Sequence, residues 1–158
     1  MRAVQLEVGF EGVQPQDAYA RIADFERYPS LVAAVRQVTV HPGTPPEPLH
    51  SDWEVDFRNG VLSWSEADTF DDDHQAITFE QTSGDFESFT GRWQVEADGD
   101  GCLVRFEATF DFGLPSLAGI VEPVAERVLR ENILAILDGL LNGAQSAAAT
   151  VPGPRVEA

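Results

Sequence analysis

Residues 60–73 read GVLSWSEADTFDDD. With the two-residue period of a β-strand, Leu62, Trp64, Glu66, Asp68 and Phe70 fall on one face, and Val61, Ser63, Ser65, Ala67 and Thr69 on the other. The face with the large rings seeks a core, so this strand carries two carboxylates into apolar company. The same alternation extends outward on both sides. From Val35 to Phe112 the segments VRQVTV, LHSDWEVDFRNG, VLSWSEADTF, QAITFEQT, FTGRWQVEA and CLVRFEATFDF read as successive strands. The connections PGTPPEP, RNG, DDDH and DGDG have the residue types that turns require. Trp53, Val55 and Phe57 alternate with Asp52, Glu54, Asp56 and Arg58; Val104, Phe106, Ala108, Phe110 and Phe112 alternate with Arg105, Glu107, Thr109 and Asp111. The pattern predicts an antiparallel meander with one dry face, which needs a cover.

The cover is SLAGIVEPVAERVLRENILAILDGLLNG, the longest helical pattern in the chain. From Pro123 to Asn142 it would run about 30 Å at the helical rise, with Pro123 a kink or the start of the main helix. At 100° per residue, Leu117, Val121, Val124, Ala125, Val128, Leu129, Ala135, Ile136 and Leu140 share an arc with Asn132 at its centre. Leu134, Leu137 and Leu141 fall on the far side, which leaves two uses open, a homodimer contact or packing against a loop. Upstream, residues 3–10 alternate as an opening strand. The segment QPQDAYARIADFERYPSLVAAV then reads as two short helices meeting near Tyr28 and Pro29. One domain over 1–142 and a disordered tail over 143–158, AQSAAATVPGPRVEA after Gly143, are expected.

All ten cations are arginine and there are 27 acids, a net charge of −17. Such a surface repels phosphate backbones and anionic headgroups, which argues against nucleic acid and membrane partners. The lone Cys102 makes no internal disulfide, the N-terminus lacks a signal-like apolar run, and no stretch reaches the roughly 20 apolar residues of a membrane span. A cytoplasmic location is expected. His41, His50 and His74 lack zinc-site spacing, the acidic turns lack the distant glutamate of a calcium loop, and no phosphate-binding or nucleophile-elbow motif occurs. No metal and no cofactor are expected.

The order strand, two short helices, six strands, long helix resembles the helix-grip fold of START-like (SRPBCC, Bet v 1-like) domains, an α+β architecture with a curved seven-stranded antiparallel sheet. The similar stretches are FERYPSLVAAVRQV, LSWSEADTFDDDHQAITFEQTSGDFESFTGRWQVE and TFDFGLPSLAGIVEPVAERVLRENI. Among these domains the chain is most similar to polyketide cyclase/aromatase and coenzyme-Q-binding relatives. That resemblance implies a deep cavity between sheet and helix for a hydrophobic small molecule. Aromatase/cyclases carry Trp-x-Ser-x-Arg on the strand corresponding to WSEAD. Trp64 matches the tryptophan, while Glu66 stands in the serine place and Asp68 in the arginine place. An ionised Asp68 cannot hold a substrate oxygen or a developing enolate as an arginine would.

Glu66 and Asp68 are the candidate catalytic residues. In a dry cavity, desolvation and mutual repulsion would raise at least one of their pKa values and create a proton-transfer group. The alternative, a twisted strand end that turns them to solvent or to an arginine at the rim, weighs more for Asp68, which lies nearer the turn. Asn132, an amide within an apolar helix face, needs a partner, either a ligand carbonyl or Gln81. Tyr28, Trp53, Trp64, Trp93, Phe106 and Val128 complete the candidate binding set, with Trp64 and the elbow residue Tyr28 as cavity lining. Two functions follow as expectations. One is a cyclase or dehydratase acting on an aromatic or polyketide-like substrate through Glu66. The other is a non-catalytic carrier of a lipid, quinone or pigment.

Overall fold

The computed structural model describes residues 2–43, 48–57, 60–111, 115–142 and 155–157, without the side chains of 57, 115–122, 142 and 155–157. Strand β1 (Arg2–Phe10) leads into α1 (Pro15–Ala23), a 3-10 turn (Phe25–Arg27) and α2 (Tyr28–Leu31). Six antiparallel strands follow: β2 (Val35–His41), β3 (Leu49–Phe57), β4 (Gly60–Asp71), β5 (Ala76–Gly84), β6 (Ser88–Asp98) and β7 (Gly101–Asp111). Helix α3 (Pro115–Leu137) ends in a π-helical turn (Asp138–Asn142). The sheet order is β2-β3-β4-β5-β6-β7-β1, with β8 (Arg155–Glu157) added on the outer edge of β1. This is the curved helix-grip sheet of START and Bet v 1 domains.

Alternation is what makes the segments strands, and the buried positions follow it. Along β7, Val104, Phe106, Ala108 and Phe110 are buried while Arg105, Glu107 and Thr109 face out. The break between the two short helices falls at Asp24, and Pro29 sits in the first turn of α2, where its missing N–H costs nothing. Helix α3 passes through Pro123 without interruption, so that proline neither ends nor begins it. Of the tail expected to be disordered, residues 143–154 and 158 lie outside the description. Residues 155–157 instead pair antiparallel with Glu7, Leu6 and Gln5.

The far side of α3 departs from the helical-wheel reading. Leu137 and Leu141 are fully buried, Leu134 is half-buried, and Ala135 is exposed. The cause is a second packing surface: the π turn contacts α1 and α2, and the Arg21 guanidinium donates to the Leu140 carbonyl at 3.3 Å. The leucines that suggested a homodimer contact are therefore spent inside the fold. Leu117 and Val121 lie outside the described side chains.

One glycine sets the spacing of the core. A Cβ on Gly91 would sit 2.3 Å from the Phe79 ring and 2.6 Å from the Glu107 carbonyl. Phe79 in turn stacks on Phe106 and meets Phe89 edge-on. Gly91→Ala is expected to destabilise the fold by about 1–3 kcal/mol, the usual cost of overpacking, read as a lower urea midpoint at unchanged m-value.

Candidate functional site

Strands β3 and β4 place the polar groups by register. Across this pair Leu49 faces Asp68, Ser51 faces Glu66 and Trp53 faces Trp64. Residues at alternate positions share a face, so Ser51, Trp53, Trp64, Glu66 and Asp68 all point inward, and all five are buried. The two indoles lie parallel, centroids 5.9 Å apart. Each donates its N–H two residues along its own strand, Trp64 Nε1 to Glu66 Oε1 at 2.7 Å and Trp53 Nε1 to Ser51 Oγ at 2.8 Å. Ser51 Oγ donates to Asp68 Oδ2 at 2.6 Å.

Asp68, whose sequence position favoured solvent, is 0% exposed, and Glu66 is 4% exposed. No arginine meets either among the bonds of the described residues. The strand does not turn its end outward because β3 and β5 flank it along Leu49–Phe57 and Ala76–Gly84. The carboxyls of Glu66 and Asp68 lie close enough on the strand face to influence each other's ionisation. Asp68 Oδ1 is buried and receives no N–H or O–H from any other described residue. Burial, then the hydrogen bond and charge of Asp68, hold the Glu66 carboxyl well above the usual carboxylate range, against the pull of the Trp64 N–H. Burial also raises Asp68, but the hydrogen bonds from Glu66 and Ser51 and the nearby His50 oppose it. Both carboxyls are thus pushed toward the protonated form, and Asp68 has more neighbours that favour its charged form than Glu66 has.

Glu66 opens onto a void beneath α3. Its walls include Phe25, Tyr28, Trp53, Val55, Trp64, Phe79, Phe89, Trp93 and Phe106 from the sheet side and elbow, and Leu129, Asn132, Ile133 and Ile136 from the helix. Six of the predicted binding residues thus meet around it: Tyr28, Trp53, Trp64, Trp93, Phe106 and Asn132. Val128 is not among the walls; Leu129 takes that place one position along the helix. Gln81 is also absent. Its amide brackets the Phe86 backbone, donating to Phe86 O at 2.8 Å and accepting from Phe86 N at 3.2 Å. A β-bulge at Ser65/Glu66 against Ser83 and Gln81 displaces the β5 end, and Asn132 reaches the Asp56 backbone carbonyl at 3.2 Å instead. Tyr28 presents only its ring, because its hydroxyl donates to the Ile22 carbonyl.

The void measures about 50 Å³, room for a few waters and not the deep cavity that the resemblance implied. Aromatic rings fill the difference. Trp64 packs edge-on against Phe86 and Phe89, and Trp93 against Phe106. Phe86 and Ser51, like Phe25, Val55 and Ile133 of the wall, are site residues that sequence reading missed. Phe86 was a lone ring in the polar connection SGDFES. Ser51 was a polar residue two positions before Trp53 on an otherwise apolar face.

A curved antiparallel sheet gripping a long helix, with a partly polar void between them, defines a ligand-binding helix-grip domain. The family model for polyketide cyclase/dehydrase and lipid transport proteins matches residues 12–137, and the chain belongs to that family. Among solved structures, TTHA0849 of Thermus thermophilus is similar with a TM-score of 0.81 and 22% identity over 93% of this chain and 99% of that one. The Zhui aromatase/cyclase of a Streptomyces species gives a TM-score of 0.74 with 15% identity, over 91% of this chain and 93% of that one. A START superfamily protein from Mycobacterium smegmatis gives 0.73 and 16%, over 90% and 97%. Identities this low establish the fold alone. No curated protein matches the chain in sequence. No helix among the described residues is long and apolar enough to cross a membrane, and they hold no cluster of metal-ligating side chains.

A carboxyl whose folded pKa is raised binds its proton more tightly folded than unfolded, so it favours the fold at low pH and loses that contribution as pH rises through the folded value. Stability is expected to fall as pH rises above the ordinary carboxylate range, where Glu66 is ionised in the unfolded chain and must ionise in the fold. Urea midpoints of Glu66→Gln across the same range should lie on a flatter line.

Proposed function

We propose that the protein binds an uncharged, hydrophobic aromatic or polyketide-like molecule beneath α3 and moves a proton on it with Glu66, in a cyclisation, aromatisation or dehydration. The observation that carries this is the buried Glu66–Asp68 pair at the edge of an aromatic void. A pair holding one proton has two uses. With the proton on Glu66, it is an acid for a carbonyl or a departing hydroxyl. With the proton passed to Asp68, Glu66 is a base for a hydrogen next to a carbonyl. Among the described residues no arginine or histidine lines the void, which disfavours carboxylate and phosphate ligands and favours neutral ones.

A ligand of ordinary size occupies roughly 300–1,000 Å³, so binding requires α3 to move away from β3. The polar ties of the helix support this. On the β1 flank Arg2 meets Glu126 at 3.4 Å, and Arg130 meets Glu126 at 3.2 Å and the Gln5 carbonyl at 3.4 Å. On the β3 flank, Asn132 to the Asp56 carbonyl is the bond that opening would break. Asn132→Ala should raise the association rate of 2-acetonaphthone several-fold in stopped-flow tryptophan quenching, since a lost bond of about 1 kcal/mol lowers the opening cost.

The test uses 2-acetonaphthone in D₂O. The protein is expected to quench its tryptophan fluorescence on binding and to accelerate deuterium exchange at the ketone methyl, followed by proton NMR. Glu66→Gln should lower that exchange by about 10²–10⁴-fold with affinity changed less than severalfold. The missing cation, which an enolate would need, favours a second reading, a non-catalytic carrier. Binding without exchange in either protein selects the carrier, and absence of binding removes both readings.

A further inference from the structure

We propose that Ser51 is a positioning residue for the proton-transfer pair: its hydroxyl, oriented by the Trp53 indole, donates to Asp68 and thereby keeps the mobile proton on Glu66, the member that meets the ligand. The inference rests on the reading of Glu66 as the proton-transfer group and adds a residue that the chemistry does not itself touch.

The assignment follows from counting donors. A serine hydroxyl has one hydrogen and two lone pairs. Trp53 Nε1, which can only donate, takes a lone pair of Ser51 Oγ at 2.8 Å, so the indole sets the side from which the oxygen accepts. The one hydroxyl hydrogen then points to Asp68 Oδ2 at 2.6 Å. Both partners lie out of water, Ser51 and Asp68 each at 0% exposure, so neither bond has a solvent substitute. Asp68 Oδ2 is held as an acceptor, and a hydrogen bond to a charged acceptor is stronger than one to a neutral group. Among the described residues Asp68 Oδ1 has no donor, which leaves it open to accept from a protonated Glu66.

Glu66 differs from Asp68 in two ways. Its own donor is the neutral Trp64 indole, and its other side borders the void. The chain of hydrogen bonds from Trp53 through Ser51 therefore ends on Asp68, the carboxyl remote from the ligand, and favours it as the charged one. The register makes the chain a property of two strands alone: Ser51 is opposite Glu66 and diagonal to Asp68 across β3 and β4. The other ionisable groups near the pair are His50 on β3, whose charge favours ionised Asp68, and Tyr28 of α2, buried, with its hydroxyl committed to Ile22. Neither takes part in the chain.

The experiment follows the carboxyl carbons by NMR in protein labelled with 13C at the Asp and Glu carboxyls. Asp68 and Glu66 are assigned by their absence in Asp68→Asn and Glu66→Gln. In the native protein Asp68 is expected to ionise before Glu66 as pH rises. In Ser51→Ala the Asp68 midpoint should rise by about one pH unit, the size of one charge-assisted bond, and deuterium exchange on 2-acetonaphthone should slow about tenfold with the ketone concentration at half-saturation little changed. Ser51→Thr should restore both. Trp53→Phe, which keeps the hydroxyl but removes the group that orients it, should move the Asp68 midpoint the same way by a smaller amount, and it carries the test if Ser51→Ala does not fold. An Asp68 midpoint unmoved in the folded variants, or a slowing that threonine does not reverse, overturns the inference. Failure of the underlying reading has a different signature, exchange insensitive to Glu66→Gln.

Discussion

Two carboxyl groups on alternate positions of one strand cannot both be charged when water is excluded from them, because each would pay desolvation and repel the other. Glu66 and Asp68 meet that constraint with raised pKa values and with hydrogen bonds from neighbouring donors. Trp64 supplies its indole N–H to one, and Ser51 its hydroxyl to the other. The parallel indoles of Trp53 and Trp64 follow from the same need, since each must aim its nitrogen along its own strand at the same polar cluster. Much of the aromatic wall then packs around these two rings: Phe25 and Tyr28 against Trp53, Phe86 and Phe89 against Trp64.

That arrangement sets the charge of the interior. An arginine in the place of Asp68, as the aromatase/cyclase pattern has it, would present a fixed cation to the ligand. This chain has a second carboxyl there instead, and on the proposed reading the chemistry of the pair is proton delivery and removal. The tight closure is consistent with such a site, because a buried acid keeps its raised pKa only while water stays out. On the proposed reading, the small void beneath α3 belongs to a closed state whose opening is part of binding.

The order of strands, the apolar parity of β3, β4 and β7 and the long covering helix were legible in the sequence, because alternation and helical spacing are local. The inward direction of Trp64 and Glu66 followed from the same parity. Asp68 was harder: strand ends often twist outward, and only the flanking strands hold it inside. Ser51 escaped notice since a small polar residue on an apolar face has no distinctive pattern until its hydrogen-bond partners are in view. Gln81 was misassigned for a comparable reason. Its parity is right, but a bulge and the inward fold of Phe86 engage its amide before it can reach the helix.

By itself, then, the chain's sequence determined which residues lie on a common strand face, that a helix must cover that face, and that acids and large rings share it, all consequences of period and polarity along neighbouring residues. The tertiary structure decided what no local pattern contains. It set that both carboxyls are buried together, that Leu137 and Leu141 turn inward, and how little space remains beneath α3. Those outcomes depend on groups far apart in the chain competing for the same donors and the same volume, and that competition exists only once the strands and helix are brought together.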